Sequence, residues 1–349
     1  MSSTRAILCG YYGMGNGGDE ALLVSLLQML PDSVEPIVLS GNPQVTKKQY
    51  QVPSYRRKST FAILKLLKQS DIFIWGGGSL MQDSTSIASP IYYAGLMALA
   101  QQQGLTTIAW AQGIGPLEKP FTRWLTKQVL LGCSAISVRD QASAKLLSEW
   151  QIEPTLAPDP VWALNSSNTS KLDLPQSSVA VILRSHPLLT KKRLETLIQA
   201  LVLFQAQTDT HILLIPFQPL QDKAIAEQIA SELGKNQTVV LIDNPQELKG
   251  LFKQVKMAIG MRLHSLIMAA AESCNCFALS YDPKVSQLMA EINLPGYELS
   301  ALPQDAQTIC QSWLEHYRHG VTLNKIQIQF LIERALVHQQ LLRTAIIDN

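Results

Sequence analysis

The chain has 349 residues, of which 46% are hydrophobic and 16% charged, and its formal net charge is +2. This length predicts two domains, and this composition excludes a disordered chain. The small net charge, without a dense basic run, excludes a nucleic-acid-binding protein. Residues 1–5 lack the pattern of a signal peptide, and no run is apolar enough to span a bilayer. We therefore expect a cytoplasmic protein.

The first half of the chain alternates short apolar strands with helical segments. We predict strands at residues 6–9, 35–39, 71–75, 106–111 and 135–138, and helices at residues 21–30, 60–69, 90–103, 123–131 and 141–150. Such alternation is typical of a parallel sheet with helices on both faces.

The second half repeats this organisation after a polar stretch, residues 165–178, which we interpret as a linker. We predict strands at residues 179–183, 211–215, 238–242, 255–259 and 276–280, and helices at residues 192–208, 223–233, 245–254 and 265–271, then one ending at residue 291, and two more at residues 307–317 and 324–344. The fold class is therefore α/β, with two Rossmann-like doubly wound domains, residues 1–166 and 176–349, facing a cleft. Each candidate loop follows a strand, at the edge where parallel sheets bind ligands.

A glycine-rich loop follows the first strand, with five glycines among residues 10–20. Its backbone can approach a ligand closely, which makes Gly15 and Asn16 candidate substrate contacts. Asp19 is either a helix cap or a substrate-binding carboxylate, and the two interpretations stay open. The second strand ends without an acidic residue and no Gly-Lys-Ser/Thr follows the loop, so neither NAD binding nor a P-loop is predicted.

Two further turns follow strands of the first half. Three consecutive glycines centred on Gly77 favour ligand contact over a bare tight turn, and Asp83 beyond them is a substrate contact or a helix cap. Gln112 opens a similar turn at residues 112–116.

Several cations stand at or just beyond strand ends. Arg139 and Arg184 each end an apolar strand, one in each half, and Lys284 lies in the first turn of a helix, where a cation opposes the helix dipole. Each has an alternative as a solvated charge, and Asp140 is an alternative partner for Arg139. Since arginine binds phosphate and carboxylate in bidentate fashion, the set favours a small anionic substrate.

The junction at residues 260–264 combines a strand end, a glycine and a helix start, which is a ready anion site. Arg262 adds a permanent charge and His264 a group that can move a proton. Two positions apart on a regular helix, these side chains would point about 200° apart. They converge on one ligand only if Arg262 belongs to the loop or the ligand lies on the helix axis.

The sequence contains no Asp-x-Asp motif and no His-x-x-x-His pair, so no metal site is predicted. Short basic runs at residues 55–58 and 191–193 are typical of solvated faces, with an anionic membrane surface as the alternative partner.

Five segments together resemble the polysaccharide pyruvyl transferase family, most closely its CsaB-type branch. They are Gly10-Tyr-Tyr-Gly-Met-Gly-Asn-Gly-Gly-Asp-Glu-Ala21, Gly76-Gly-Gly-Ser-Leu-Met-Gln-Asp83, Gln112-Gly-Ile-Gly-Pro-Leu117, Gly260-Met-Arg-Leu-His264 and Tyr281-Asp-Pro-Lys-Val285. The resemblance implies a GT-B-like pair of domains. It also implies transfer of pyruvate from phosphoenolpyruvate to a sugar as a cyclic ketal, without a further cofactor.

In the CsaB-type branch, the implied acceptor is N-acetylmannosamine of a lipid-linked cell-wall saccharide, with peripheral contact at the inner face of the plasma membrane. The resemblance places Arg139, Arg262, Leu263 and His264 at the phosphoenolpyruvate site, with Lys284 near it. The second domain would then bind the donor and the first the acceptor.

Two other functions remain open. A glycosyltransferase of the same architecture would use a nucleotide-sugar donor, and a non-catalytic module would bind an anion or a sugar without turnover.

Overall fold

The computed structural model describes residues 4–84, 86–168, 174–175 and 177–347. The chain divides into two compact units. Unit 1 contains Met1–Met14, Asp19–Leu164 and Phe330–Asn349, and unit 2 contains Gly15–Gly18 and Asn165–Gln329. The predicted linker lies partly outside the described residues, at 169–173 and 176. Residues 1–3, for which no signal peptide is predicted, also lie outside them.

Each unit is built on a parallel sheet. Among the described residues, the strands of unit 1 are β1 (Thr4–Cys9), β2 (Val34–Ser40), β3 (Ser54–Arg56), β4 (Ile72–Gly78), β5 (Thr106–Gln112), β6 (Ala135–Val138) and β7 (Thr155–Leu156). Those of unit 2 are β8 (Ser178–Ile182), β9 (His211–Leu214), β10 (Gln237–Val239), β11 (Met257–Gly260), β12 (Asn275–Ser280) and β13 (Gly296–Glu298).

The helices connect these strands. Those in the described parts of the chain are α1 (Gly17–Met29), α2 (Pro43–Tyr50), α3 (Thr60–Leu67), α4 (Ala88–Gln102), α5 (Pro120–Leu131), α6 (Gln141–Glu149), α7 (Lys191–Thr208), α8 (Pro219–Leu233), α9 (Pro245–Leu251), α10 (Leu263–Ala271), α11 (Pro283–Glu291), α12 (Ala306–His319), α13 (Lys325–Ala335) and α14 (Val337–Ile347). The strand–helix alternation confirms the predicted α/β class.

The strand order determines where loops meet. The sheet of unit 1 runs β3-β2-β1-β4-β5-β6-β7, and that of unit 2 runs β10-β9-β8-β11-β12-β13, with every pairing parallel. In each sheet the order reverses between two neighbouring central strands, β1 and β4 or β8 and β11. Loops leave these strands in opposite directions, which opens a crevice at the carboxyl ends. The glycine loops after β1 and β4, and the segments holding Arg184 and Arg262, lie at these two reversal points.

The end of the chain belongs to unit 1, unlike the predicted range 176–349 for the second domain. Helix α14 packs on β5 and β6. Its His338 is fully buried, with Nδ1 at 2.9 Å from Ser137 Oγ and Nε2 at 3.0 Å from the Pro158 carbonyl, while Trp110 Nε1 donates to the His338 carbonyl. A helix pattern in sequence does not show which sheet covers the helix, so this docking could not be predicted.

Burial lowers the pKa of His338 to about 4, below the ordinary value for histidine. The unfolded chain therefore takes up a proton more readily than the folded one as the pH falls from the unfolded pKa to the folded one. We expect the free energy of unfolding to fall by about 2 kcal/mol between about pH 7 and about pH 5 from this group alone. Urea titrations should show that His338→Gln removes this part of the pH dependence. The exposed His319, changed to Gln, should keep it, and identical slopes for the two variants would contradict the assignment.

Candidate functional site

Arg262 ends the β11 loop of unit 2 and is held by a buried ion pair. Its Nη2 donates to both Asp222 oxygens, at 2.7 and 2.8 Å, and its Nε donates to Oδ2 at 3.1 Å. Its Nη1 donates to Gln218 Oε1 at 3.3 Å. Only 6% of Arg262 and 1% of Asp222 is exposed. The charge predicted for anion binding is therefore already balanced by a carboxylate.

Asp222 lies in the first turn of α8, where a carboxylate suits the helix dipole, and it also accepts the Gln218 amide at 2.8 Å. The ion pair thus joins the N-terminus of α8 to that of α10. Nothing in the sequence pattern singled out Asp222, because it is 40 positions from its partner.

Arg262 has an extended backbone, φ −85° and ψ 125°, and the α10 helix begins at Leu263. The condition for convergence with His264 is therefore met, since Arg262 belongs to the loop. Leu263 and His264 form the exposed edge of the first turn and are half-buried. Their amides point along the helix axis, at the positive end of its dipole.

His264 packs against Gly18, which clusters with unit 2. A Cβ built on Gly18 would lie 2.2 Å from His264 Nδ1, so the imidazole occupies the space that only glycine leaves. In the same segment, the Gly17 amide donates to the Phe217 carbonyl at 2.8 Å, and Asn16 Oδ1 accepts from the Gly18 amide at 3.0 Å. Gly15 has a φ of +70°, which favours glycine.

Arg184 follows β8, beside the β11 loop. Its Nη1 donates to Tyr281 Oη at 2.8 Å, and its guanidinium lies 5.0 Å from the Tyr281 ring centre. Its other contacts are with neutral oxygens of Gln221 and Ser185, and no described carboxylate pairs with it. Arg184 is half-buried, and its charge is not balanced by an ion pair with any described carboxylate.

The segment Tyr281–Lys284, which follows β12, lies at the same edge of the unit 2 sheet. The His186 ring packs against the Tyr281 ring at a tilt of 48° with ring centres 4.6 Å apart, and burial together with Arg184 lowers the pKa of His186. Asp282 caps α11 by accepting from the Lys284 amide at 2.9 Å, and Lys284 is half-buried in the first turn. The structure thus brings Arg184, Arg262 and their neighbours to one edge of the unit 2 sheet.

The carboxyl edge of the unit 1 sheet carries the glycine loops. Tyr12 is buried, donates through its hydroxyl to the Gly76 carbonyl, and burial raises its pKa well above the ordinary value. A Cβ on Gly76 would lie 2.0 Å from the Tyr12 hydroxyl, and Gly77 and Gly78 have φ values of +79° and +93°. Packing and backbone conformation thus give the three glycines a structural reason, the alternative that the sequence disfavoured.

Asp19 lies in the first turn of α1 and is half-buried, with its Oδ1 3.4 Å from a Cβ built on Gly78. Its neighbour Glu20 is buried, accepts from the Gly13 amide at 2.7 Å and from Tyr50 Oη at 2.9 Å, and burial raises its pKa. Asp19 and the β4 glycines therefore meet at the reversal point of this sheet.

Arg139 is paired as Arg262 is. Its Nη1 donates to Asp159 Oδ2 at 2.6 Å, both residues are buried, and its Nη2 donates to Ser79 Oγ at 3.4 Å. Asp140, the alternative partner, instead caps α6 by accepting from the Ser143 amide. Asp159 was missed because it lies in an irregular segment before Pro160, without a periodic pattern.

Gln112 is fully buried at the end of β5. Its Nε2 donates to the carbonyls of Trp110 and Trp75, at 2.9 and 3.3 Å, whereas its Oε1 has no hydrogen-bond partner. A buried acceptor without a partner costs free energy, and this oxygen lies inside the fold, away from the surface.

Asp83 of the β4 loop bonds to the segment directly before α5 and to Thr122 within it. It accepts from the amides of Glu118 and Lys119, at 2.8 and 2.9 Å, and from the Thr122 hydroxyl. Burial raises the pKa of Asp83, whereas the hydrogen bonds from Thr122 and from the two amides lower it by more. The net shift of this pKa is downward. These contacts hold the start of α5 to the β4 loop.

Two absences apply to the described parts of the chain. No three His, Cys, Asp or Glu side chains come together in a way that could hold a metal ion. No helix there combines the length and apolar character that crossing a membrane requires.

Comparison with known proteins adds a family and a fold. The model of the family described as polysaccharide pyruvyl transferase matches residues 16–283. No curated protein matches the chain.

Solved structures share the architecture at low sequence identity. The UDP-GlcNAc 2-epimerase of Neisseria meningitidis bound to UDP-GlcNAc has a TM-score of 0.63 and 9% identity, covering 99% of this chain and 100% of that one. A glycosyltransferase of Rickettsia africae has 0.61 and 13%, covering 100% of both chains. The UDP-GlcNAc 2-epimerase of Methanocaldococcus jannaschii has 0.60 and 12%, covering 93% and 94%. Each domain pair is of the GT-B type, which confirms the predicted fold class.

The Asp222–Arg262 pair is testable by a double-mutant cycle. Removing one partner, in Asp222→Ala or Arg262→Met, leaves an unbalanced buried group and should cost about 3 to 5 kcal/mol of unfolding free energy. The double variant removes both charges and should recover most of that loss in urea titrations. Additive losses in the double variant would show that the two side chains do not stabilise each other.

Proposed function

The chain belongs to the polysaccharide pyruvyl transferase family, and we propose that it transfers the pyruvyl group of phosphoenolpyruvate to a sugar as a cyclic ketal, releasing phosphate. We assign it to the CsaB-type branch, with N-acetylmannosamine of a lipid-linked cell-wall saccharide as the acceptor. The observation that carries the proposal is the family match over residues 16–283, which spans both predicted domains.

The donor suits the charges of unit 2. Phosphoenolpyruvate carries a phosphate and a carboxylate, and the α10 N-terminus offers amides at the positive end of its dipole. Arg184, without an ion-pair partner, takes the role of the principal anion ligand, and Lys284 supports it. Arg262, balanced by Asp222, fixes the loop that presents Leu263 and His264 to the donor.

The reaction balances without a redox change, so the proposal includes no cofactor. A proton adds to the methylene carbon of phosphoenolpyruvate, and a sugar hydroxyl attacks the cationic central carbon. The carbon–oxygen bond to phosphate then breaks, and a second hydroxyl closes the ring. The two hydroxyl protons end on the new methyl group and on phosphate.

His264 acts as the general acid that gives a proton to the methylene carbon, or as the general base that takes the proton of the attacking hydroxyl. Its position at the first turn of α10, beside the amides that would hold the phosphate, supports this role. Arg184 and Lys284 stabilise the departing phosphate.

The acceptor would lie at the carboxyl edge of the unit 1 sheet. Asp19 orients or deprotonates a sugar hydroxyl. Gln112 remains a substrate contact by prediction, although its side chain is fully buried. The segment at Gly77 supplies backbone contacts, and Gly15 and Asn16 remain substrate contacts by prediction. Arg139 remains a donor-site residue by resemblance, and its ion pair with Asp159 favours a positioning role. Asp83 remains a substrate contact by prediction, although its observed bonds are to α5.

The rival function is nucleotide-sugar glycosyl transfer, which the Rickettsia africae glycosyltransferase favours by its shared fold. Its donor is also an anion that arginines can hold.

A lipid-linked acceptor would bring the protein to the inner face of the plasma membrane, which is part of the proposal.

A donor-exchange assay tests the proposal and the role of His264. The purified protein, given phosphoenolpyruvate and a panel of N-acetylated sugar acceptors, should release phosphate only when acceptor is present. His264→Ala should lower kcat by about 10²- to 10⁴-fold, the usual contribution of a general acid or base. The exposed His319→Ala serves as the matched control. UDP release from a nucleotide sugar, or near-normal turnover by His264→Ala, would contradict the proposal.

The space between Gly18 and His264 allows a second test. In Gly18→Ala the new methyl group must displace the imidazole, so kcat of the folded protein should fall by about tenfold or more, and the melting temperature should fall as well because the site is buried. Gly95→Ala is the control, because a Cβ there meets nothing within 4 Å. Wild-type turnover in Gly18→Ala would remove His264 from the chemistry.

A further inference from the structure

Helices α3, α4 and α5 cover the same face of the unit 1 sheet. Their buried side chains belong to one core, together with alternate residues of the strands such as Ile7 and Cys9 of β1 and Phe73 and Trp75 of β4. Alternate residues of a strand point to one face of the sheet. The outer sides of the three helices therefore form one layer, which we name the α3–α5 face.

The α3–α5 face is apolar where a surface is usually polar. Phe61 is 84% exposed, Trp124 is 56%, Leu131 is 55% and Phe121 is 53%. The other large apolar side chains exposed on these helices or directly before them are Leu64, Ile87, Ile91 and Leu99. Exposed apolar residues gathered on one layer mark a contact surface.

Helix α4 carries no charged residue from Ala88 to Gln102, although one of its sides faces water. An ordinary surface helix keeps charged residues on its outer side. The rings of Phe121 and Trp124 stack with centres 6.2 Å apart and present a broad aromatic area to solvent.

The charges around this layer are mostly positive. Residues 54–131 contain eight basic and three acidic residues, a net charge of +5, although the whole chain has +2. The basic residues beside the apolar side chains are Arg56, Lys58, Lys65, Lys68, Lys119 and Lys127. Of the acidic residues, Asp83 is buried, which leaves Asp71 and Glu118, and of the basic residues Arg123 is paired with Glu149 of α6 at 2.9 Å.

We propose that the α3–α5 face docks on an anionic lipid surface. Phe121 and Trp124 enter the interface at the depth of the headgroups, where aromatic side chains are favoured. The surrounding lysines lie against the lipid phosphates. A second copy of the chain is a poor occupant, because a symmetric pairing would set one basic border against another.

The position of the face fits the proposed function, on which its biological purpose rests. Phe61 and Phe121 lie in the first turns of α3 and α5, and Ile87 directly precedes α4. Helices that follow parallel strands begin at the carboxyl edge of the sheet. Docking there brings the bilayer close to the edge that carries Asp19 and Gly77, where a lipid-linked acceptor would present its sugar.

Vesicle flotation tests the inference with the full chain. The protein should float with phosphatidylcholine vesicles that contain phosphatidylglycerol, and not with pure phosphatidylcholine, and added salt should weaken binding. The double variant Phe121→Ser/Trp124→Ser and the charge reversal Lys65→Glu/Lys68→Glu should each lower the vesicle partition coefficient by about tenfold or more. Leu220→Ser is the matched control, because this α8 residue of unit 2 is 91% exposed.

Three results would overturn the inference. The first is absence of binding to the anionic vesicles, and the second is unchanged binding of the double variant Phe121→Ser/Trp124→Ser. The third is a wild-type protein that sediments as a dimer without lipid while the double variant sediments as a monomer. Phosphate release with a soluble sugar acceptor should be unchanged in Phe121→Ser/Trp124→Ser, since neither side chain belongs to the proposed site. Because flotation needs no substrate, failure of membrane docking and failure of pyruvyl transfer are separate results.

Discussion

The bidentate ion pair between Arg262 and Asp222 fixes the carboxyl edge of the unit 2 sheet. It holds the loop after β11 to the first turn of α8, and it keeps Arg262 extended so that α10 begins at Leu263. The direction of the α10 axis, and with it the amides and His264 at its start, depends on this contact. Burying an ion pair costs free energy unless both charges are fully hydrogen-bonded. Here Gln218 accepts from Arg262 through its side chain and donates to Asp222 through its backbone amide.

Unit 1 contains a second buried arginine–aspartate ion pair, at the end of another strand. Arg139 follows β6 and pairs with the buried Asp159. Arg262 and Arg139 are both neutralised within the fold, and their value to a ligand is geometric more than electrostatic. Arg184 differs, since its contacts are with neutral groups. The distinction between a positioning arginine and a ligand-binding one is visible only once the partners are known.

The alternation of strands and helices in sequence predicted the parallel sheets, and with them the edge where the candidate residues gather. Helix geometry predicted that Arg262 and His264 converge only if Arg262 belongs to the loop or the ligand lies on the helix axis, and Arg262 does belong to the loop. Long-range partners were beyond the reach of the sequence, because Asp222 and Asp159 sit in segments whose local pattern says nothing about a distant guanidinium. Helix α2 was missed because it is short and polar, although Asn42 and Pro43 are a capping signal.

The same limit applies to surfaces. The sequence shows apolar periodicity in α3, α4 and α5 but not which side of each helix the sheet covers, so Phe121 and Trp124 could not be separated from core residues. Their exposure emerges from the packing of the three helices on one face of unit 1. We propose that the reversal points of the two sheets hold the substrates and that the α3–α5 face docks on the anionic membrane surface.

The most direct measurement of the central claim is a crystal structure of the protein soaked with phosphoenolpyruvate. The account predicts density for the phosphate and carboxylate at the carboxyl ends of β8 and β11, in contact with Arg184 and the first turn of α10, with His264 within hydrogen-bonding distance. Phosphoenolpyruvate bound elsewhere, or a nucleotide sugar occupying that position while phosphoenolpyruvate fails to bind, would contradict it.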